Sequence, residues 1–271
     1  MSRFSDCFLL LFGQLSVGGV IGLAVPPFSL IDRGFYRSSA GLFLAFSLLF
    51  VAGRIGLLVR GDAGQGAAGE LVAWIAFTIA LAAYTASLWR DSNRLRARAF
   101  ATSLILGVLA LTVSALRFRL GPSLGPGTLL YPLGFLAGAL ALGAVATGML
   151  LGHWYLIDLG LSIEPLQRVY RFFVFALVVQ LIVGVATVLL LATTNEGATA
   201  LSTLWADSRT LLVTRVVLGP IAALGVAWLI HRTLQIPQTM AATGLFYIAI
   251  LAVLVGEMLG RLILLRTSLP L

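Results

Sequence analysis

The hydrophobic positions of this chain fall into long continuous runs. Eight of these runs reach the length of about 20 residues that an α-helix needs to cross a hydrocarbon core of about 30 Å. They cover residues 7–29, 39–60, 68–90, 98–118, 128–152, 169–193, 209–231 and 240–266. The connections between them are short and leave no soluble domain over. The pattern predicts one all-α transmembrane domain, residues 1–271, with eight membrane-spanning helices.

The composition also indicates a membrane protein, and it argues against a soluble domain, a nucleic-acid-binding protein and an intrinsic metal site. Of the 271 residues, 60% are hydrophobic and 10% are charged, whereas about a quarter of the residues in a soluble domain are charged. The net charge is +8, but the arginines that carry it are spread through short loops, which indicates membrane orientation rather than nucleic-acid binding. Cys7 is the single cysteine and there are two histidines. The sequence therefore has no cluster with the ligand spacing of an intrinsic zinc or iron–sulfur site.

The loop arginines also predict an orientation. The loops after the first, third, fifth and seventh runs hold nine arginines, and the other loops and the two termini hold six. Cytoplasmic loops carry the excess of basic residues. Both termini are therefore predicted to face outward, which is the periplasm if the protein lies in a bacterial inner membrane.

The last hydrophobic run contains an acid and a base. Glu257 and Arg261 are four residues apart, a spacing that places them on one face of a helix with the glutamate on the favourable N-terminal side. Gly256 and Gly260 flank them at a spacing that lets a neighbouring helix approach closely. Ionisable residues inside a membrane are costly unless they face protein or water, so the pair is a functional-site hypothesis.

Three further polar residues are predicted at the same level. Counted at about 1.5 Å per residue, Arg54, Arg215 and Gln14 lie in the outer half of the membrane, as Glu257 and Arg261 do. The middle of the membrane offers little beyond Gln180 and scattered hydroxyls. The sequence thus predicts one polar layer of five residues from four helices.

Two interpretations of this layer stay open. In the first, the arginines reach the headgroups and the pair in the last helix only holds helices together. In the second, the layer is a quinone pocket in which Glu257 accepts protons released from quinol. The groups that orient the ring oxygens are then drawn from Gln14, Arg54, Arg215 and Arg261.

The two histidines, His153 and His231, are predicted at the cytoplasmic ends of the fifth and seventh helices. Two histidines at one depth can ligate a b-type haem. A histidine followed by Trp154 and Tyr155 is, however, more typical of an interfacial aromatic anchor, and no intrinsic metal is expected.

Both ends of the chain resemble a known family. The stretches Phe12–Gly19 (FGQLSVGG) and Val255–Arg261 (VGEMLGR), together with eight crossings in a short chain, look like the membrane-anchor subunits of dimethyl sulfoxide, polysulfide and nitrite reductases. The resemblance implies a subunit that is not catalytic on its own but exchanges electrons through menaquinone or ubiquinone with an iron–sulfur partner. It also implies that Glu257 and Arg261 belong to the quinone pocket. The middle of the chain, including residues 152–155, has no counterpart in that family.

Two other classes compete with the quinone-reactive subunit. One is a small-solute or ion transporter, in which the buried charges form the translocation site, commonly near the midplane on broken helices. The other is a structural accessory subunit of a larger respiratory or photosynthetic assembly that binds only lipid or pigment.

Overall fold

The computed structural model of the chain describes residues 2–61, 64, 66–119, 126–158, 160–236 and 238–270. In these ranges it contains helices and turns and no strand. The helices are α1 (Ser2–Gly22), α2 (Arg33–Val59), α3 (Ala67–Ser87), α4 (Asn93–Leu116), α5 (Leu130–Trp154), α6 (Glu164–Ala192), α7 (Asn195–Val216), α8 (Ala222–Gln235) and α9 (Thr239–Thr267). A 3₁₀ turn, Pro126–Leu129, precedes α5, and a π turn, Val217–Ile221, joins α7 to α8.

Eight helical segments of the described chain are long and apolar enough to cross a membrane. The helices α7 and α8 run on through the π turn and form a single crossing. The all-α fold and the multi-pass membrane class that the hydrophobic runs predict are therefore confirmed.

The first two crossings begin and end earlier than predicted. Helix α1 stops at Gly22, and the apolar residues that follow it form turns before Pro26 and Pro27. Helix α2 begins at Arg33 because Asp32 caps it, its Oδ1 accepting a hydrogen bond from the Gly34 backbone N–H at 2.6 Å. Hydropathy alone assigned this polar first turn to the loop.

Because the number of crossings is even, the start of α1 and the end of α9 lie on the same side of the bundle, which we call the terminal side. There the hydroxyl of Tyr131, at the start of α5, donates to the backbone carbonyl of Ser268 at 2.9 Å. That this side faces outward, as the arginine distribution predicts, stays a prediction.

The bundle is packed around α5. Of the spanning stretch of α5, 67% is buried, against 17% for that of α6. A Cβ added at Gly18 of α1 would overlap the backbone of α5, and one added at Gly143 would overlap the backbone of α1. The two helices therefore cross with their backbones in contact, as small residues permit in membrane bundles.

The α6–α7 side of the bundle is more open. The seventh crossing bends at Ser208, whose φ of −138° and ψ of 29° are not helical, and widens again at the π turn around Pro220. Proline has no N–H to donate to the preceding turn, which is a usual cause of such a break. The break at Gly219 and Pro220 therefore takes the form of a π turn.

Candidate functional site

The carboxylate of Glu257 is buried near the centre of the bundle and accepts four hydrogen bonds. Gln14 Nε2 and Arg261 Nη2 donate to its Oε2 at 3.2 and 3.1 Å. Arg215 Nη2 donates to its Oε1 at 3.0 Å, and Gln180 Nε2 donates to the same oxygen. The donors come from α1, α6, α7 and α9 itself. We call Gln14, Gln180, Arg215, Glu257 and Arg261 the Glu257 cluster.

Three glycines make room for this cluster. A Cβ added at Gly138 of α5 would overlap Glu257 Oε2, and one at Gly219 would lie 2.7 Å from Arg215 Nη1. A Cβ at Gly256 would lie 2.5 Å from the Cα of Gly219. The glycines of the π turn and of α9 therefore let the guanidinium of Arg215 reach the carboxylate between two helices in close contact.

The remaining contacts fix the orientation of the donors. The guanidinium of Arg261 lies over the ring of Phe135, 4.2 Å from its centroid, in a cation–π arrangement. Gln14 Nε2 also donates to the Phe135 carbonyl at 3.1 Å. Since the amide nitrogen faces two acceptors, the orientation of Gln14 is settled, and its Oε1 has no hydrogen-bond partner in the described part of the chain.

An apolar cavity of about 330 Å³ lies between α6 and the seventh crossing and ends at this cluster. Gln180 and Arg215 are the polar residues of its wall, and the other lining residues are apolar. Leu181, Val185 and Leu189, on the α6 side, are 44, 52 and 63% exposed on the bundle surface. These residues belong to the spanning stretch of α6, so the cavity is open on the side of the bundle that faces lipid.

The depth of the cluster follows from the helix rise. At about 1.5 Å per residue, Glu257 lies about 15 Å from the end of α9, and Gln14 lies about 18 Å from the start of α1. Arg215 lies about 10 Å from the bend at Ser208. The cluster is therefore deep in the half of the bundle on the terminal side.

Arg54 does not belong to this cluster, and the expectation that it joins the layer around Glu257 is wrong. Its Nη1 donates to Asp6 Oδ1 at 2.8 Å, and its Nη2 lies 2.6 Å from Glu70 Oε2. Glu70 is 1% exposed and also accepts from Arg117 and, at 2.5 Å, from the hydroxyl of Ser114. We call Asp6, Arg54, Glu70, Ser114 and Arg117 the Glu70 cluster.

Three further residues belong to these clusters although the sequence did not predict them there: Gln180, Asp6 and Glu70. Gln180 was placed in the middle of the membrane, apart from the layer, yet it donates to Glu257. Asp6 and Glu70 are close to helix starts, where acidic residues are common and attract little attention. Their pairing with Arg54 could have been found from the sequence, because Asp6, Arg54 and Glu70 lie at similar distances from the ends of consecutive helices.

The histidines lie on the opposite side of the bundle and have separate neighbours. His153 is exposed, with Nδ1 3.5 Å from the hydroxyl of Tyr247. His231 is exposed and stacks on Tyr170, with 5.8 Å between ring centroids. Both contacts suit the interfacial anchors that the sequence favours, and the less favoured alternative, haem ligation by His153 and His231, is not tested by them.

Comparison of the sequence with protein-family models gives no match, and comparison with curated proteins gives none either. The resemblance to reductase membrane anchors therefore stays a prediction. The geometry of the Glu257 cluster and of the cavity beside it is the basis on which a function can be inferred.

Proposed function

We propose that the chain binds a quinone in the cavity between α6 and the seventh crossing and exchanges electrons through it as the integral membrane subunit of a respiratory-type complex. One observation carries the proposal: a cavity that opens to lipid ends at two hydrogen-bonding side chains, Gln180 and Arg215. Binding sites for apolar ligands are commonly lined in this way, with many apolar residues and a few placed polar groups.

The two polar side chains suit the head of a quinone. The guanidinium of Arg215 donates hydrogen bonds, and the amide of Gln180 both donates and accepts. They therefore match the carbonyl oxygens of a quinone and the hydroxyl groups of a quinol. An isoprenoid tail would lie along the apolar wall formed by residues such as Leu181, Val185 and Leu189.

Glu257 takes a different place in this proposal from the one that the sequence suggested. It is not a wall residue of the cavity, but it accepts a hydrogen bond from each polar wall residue. It therefore holds Gln180 and Arg215 in position. To accept a proton from quinol, as we propose it does, one of its four hydrogen bonds must open first.

The proposal includes partners and a location. Quinol oxidation releases two electrons, and we propose that an iron–sulfur subunit docked on the membrane receives or supplies them, as the resemblance at both ends of the chain implies. The membrane is proposed to be the inner membrane of a bacterium, with lipids around the bundle.

A matched pair of glycine variants tests the binding site. A Cβ at Gly184, in the cavity wall, meets no atom within 4 Å, and the same is true of Gly225 on α8. We expect Gly184→Phe to fill the cavity and weaken binding of a short-tailed quinone by at least about tenfold, or about 1.4 kcal/mol. Gly225→Phe should bind normally. Equal affinity of both variants and the wild type, measured by calorimetry in nanodiscs, would refute the site.

Purification with partners retained tests the wider assignment. The protein is extracted in a mild detergent, its bound quinone is measured after solvent extraction, and the co-purifying chains are identified by mass spectrometry. We expect quinone and an iron–sulfur protein. A protein that purifies alone and without quinone would contradict the assignment.

One observation favours a transporter as the second candidate. The seventh crossing departs from α-helical geometry at Val217–Ile221, next to the buried pair of Arg215 and Glu257, and transporters commonly bind substrates where a membrane helix is irregular. Vesicles containing the protein and loaded with potassium chloride test this candidate. Release of chloride faster than from protein-free vesicles, and altered by Glu257→Gln, would favour transport.

A further inference from the structure

The Glu257 cluster carries more positive than negative charge. It contains two guanidinium groups, those of Arg215 and Arg261, and one carboxylate, that of Glu257. Among the described residues no other carboxylate forms an ion pair with either arginine. An arginine does not lose its proton in a protein. The cluster therefore holds one positive charge that no described acidic group balances.

This excess charge is located at the cavity. Arg261 is enclosed, with its side chain 3% exposed between Glu257 and the ring of Phe135. The side chain of Arg215 is 12% exposed and forms part of the cavity wall. Of its guanidinium nitrogens, Nη2 donates to Glu257, while Nε has no partner in the described part of the chain.

A positive charge at the end of an apolar cavity is costly unless an anion comes near it, because neither lipid nor apolar side chains solvate it. A neutral ligand can accept a hydrogen bond from Arg215 but leaves the charge unbalanced. An oxyanion both accepts the bond and balances the charge, and charge-assisted bonds of this kind are about twice as strong as neutral ones.

From this charge count we infer that the cavity selects a lipid-soluble acid, an apolar molecule whose head carries a single negatively charged oxygen group next to Arg215. The inference rests on the proposed function in placing the ligand in the same cavity. It adds the charge of the head group, which the proposed function leaves open. Two sources share this chemistry, an ionised quinone derivative and a fatty acid.

Two matched pairs of compounds test the charge and separate the sources. The first pair is 2-hydroxy-1,4-naphthoquinone, which is ionised at neutral pH, and 2-methyl-1,4-naphthoquinone, which is not. The second pair is decanoate and decanol. The full chain is placed in nanodiscs of phosphatidylcholine, which has no net charge, and the dissociation constants are measured by calorimetry. We expect the acid of a pair to bind at least about tenfold more tightly than its neutral partner.

The outcomes separate this inference from the proposed function. Equal or tighter binding of the neutral naphthoquinone overturns the inference and leaves the quinone site standing. Preference for decanoate with no binding of either naphthoquinone supports the inference, with a fatty acid as the source, and overturns the quinone. Absence of binding of all four compounds overturns both.

Variants assign the preference to the cluster. Arg215→Gln removes the excess charge and should abolish the preference for the acid, whereas Arg209→Gln, which changes an exposed arginine that stacks on Trp205, should retain it. Glu257→Gln adds one further unit of positive charge and should strengthen the preference. If Arg215→Gln does not fold, Glu257→Gln still tests the inference, because its preference for the acid is expected to increase. An unchanged preference in that folded variant overturns the inference.

Discussion

The two buried carboxylates, Glu70 and Glu257, have similar partners but different surroundings. Each is 1% exposed, and each is paired with two arginines. The Glu70 cluster also contains Asp6, so that its arginines face two acidic groups. The Glu257 cluster has glutamines in place of a second acid. Counted over the described residues, the first cluster is therefore balanced in charge, and the second is not.

The two clusters also differ in depth and packing. The residues of the Glu70 cluster lie within about 8 Å of their helix ends, counted at about 1.5 Å per residue, whereas those of the Glu257 cluster lie deeper. Trp74, which is fully buried, donates to Ser114 at 2.8 Å and covers the Glu70 cluster. The Glu257 cluster instead adjoins an open cavity. The comparison leads us to propose that the Glu70 cluster holds its helices together, whereas the Glu257 cluster forms part of the proposed binding site.

The largest expected effect is the loss of the ion pairs in the Glu70 cluster. Glu70→Ala leaves the guanidinium groups of Arg54 and Arg117 without their shared carboxylate, and breaking a buried ion pair in this way costs about 3–5 kcal/mol. We expect thermal unfolding in detergent at a clearly lower temperature, or no folded protein at all. If Glu70→Ala were as stable as the wild type, the Glu70 cluster would not have the stabilising role that distinguishes it from the Glu257 cluster.

The next largest effect concerns function at the other cluster. Glu257→Gln keeps the shape of the side chain but removes a proton acceptor, which typically contributes at least about 10²-fold to a rate. We expect quinol-linked turnover of the assembled complex to fall by about that factor, with smaller loss of stability than in Glu70→Ala. Normal turnover at normal assembly would show that Glu257 is not the acceptor.

A smaller effect tests the space around Glu257. Gly138→Ala places a Cβ where Glu257 Oε2 now lies, and overpacking of this kind costs about 1–3 kcal/mol. Gly56→Ala on α2 is the matched control, because a Cβ there meets no atom within 4 Å. Unfolding temperatures of the two variants that do not differ would contradict the close packing around the carboxylate.

The smallest effect is expected outside the membrane. A hydrogen bond from Arg33 lowers the pKa of Asp91, whose side chain is 94% exposed. A lowered pKa gives stability that is present above the ordinary value of 3.8 and is lost as the pH falls through the lower folded value. Asp91→Asn should therefore leave the unfolding temperature unchanged between pH 5 and pH 8, since exposed pairs contribute little. If Asp91→Asn lowered the unfolding temperature as much as Glu70→Ala, surface and buried ion pairs would contribute equally to the stability of this protein.

The part of the architecture that depends on local sequence could be predicted. Spanning a membrane needs a long apolar run, and a run is visible in the residues themselves, so the eight crossings were identified. The pairing of Glu257 with Arg261 is likewise local, since it lies within one helix. Its contacts with Gln14 and Arg215 followed from matching depths, which the regular rise of a helix provides.

Contacts between helices were harder to predict, because depth does not identify neighbours. Arg54 lies in α2 next to Glu70 of α3 and Asp6 of α1, and these carboxylates take it away from Glu257. Gln180 was predicted apart from the layer because it lies near the middle of α6, and its depth alone does not show that its amide reaches Glu257. The role of Gly138 could not be separated from general close packing without the position of Glu257.

The π turn at Val217–Ile221 has a consequence for the history of the site. A π turn corresponds to an α-helix with one residue inserted, and each residue of an α-helix turns the chain by about 100°. Deleting one residue from this turn would rotate Arg215 by about that angle relative to α8, away from Glu257. The contact between Arg215 and Glu257 could therefore arise or vanish in evolution through a single codon insertion or deletion, with no substitution at either residue.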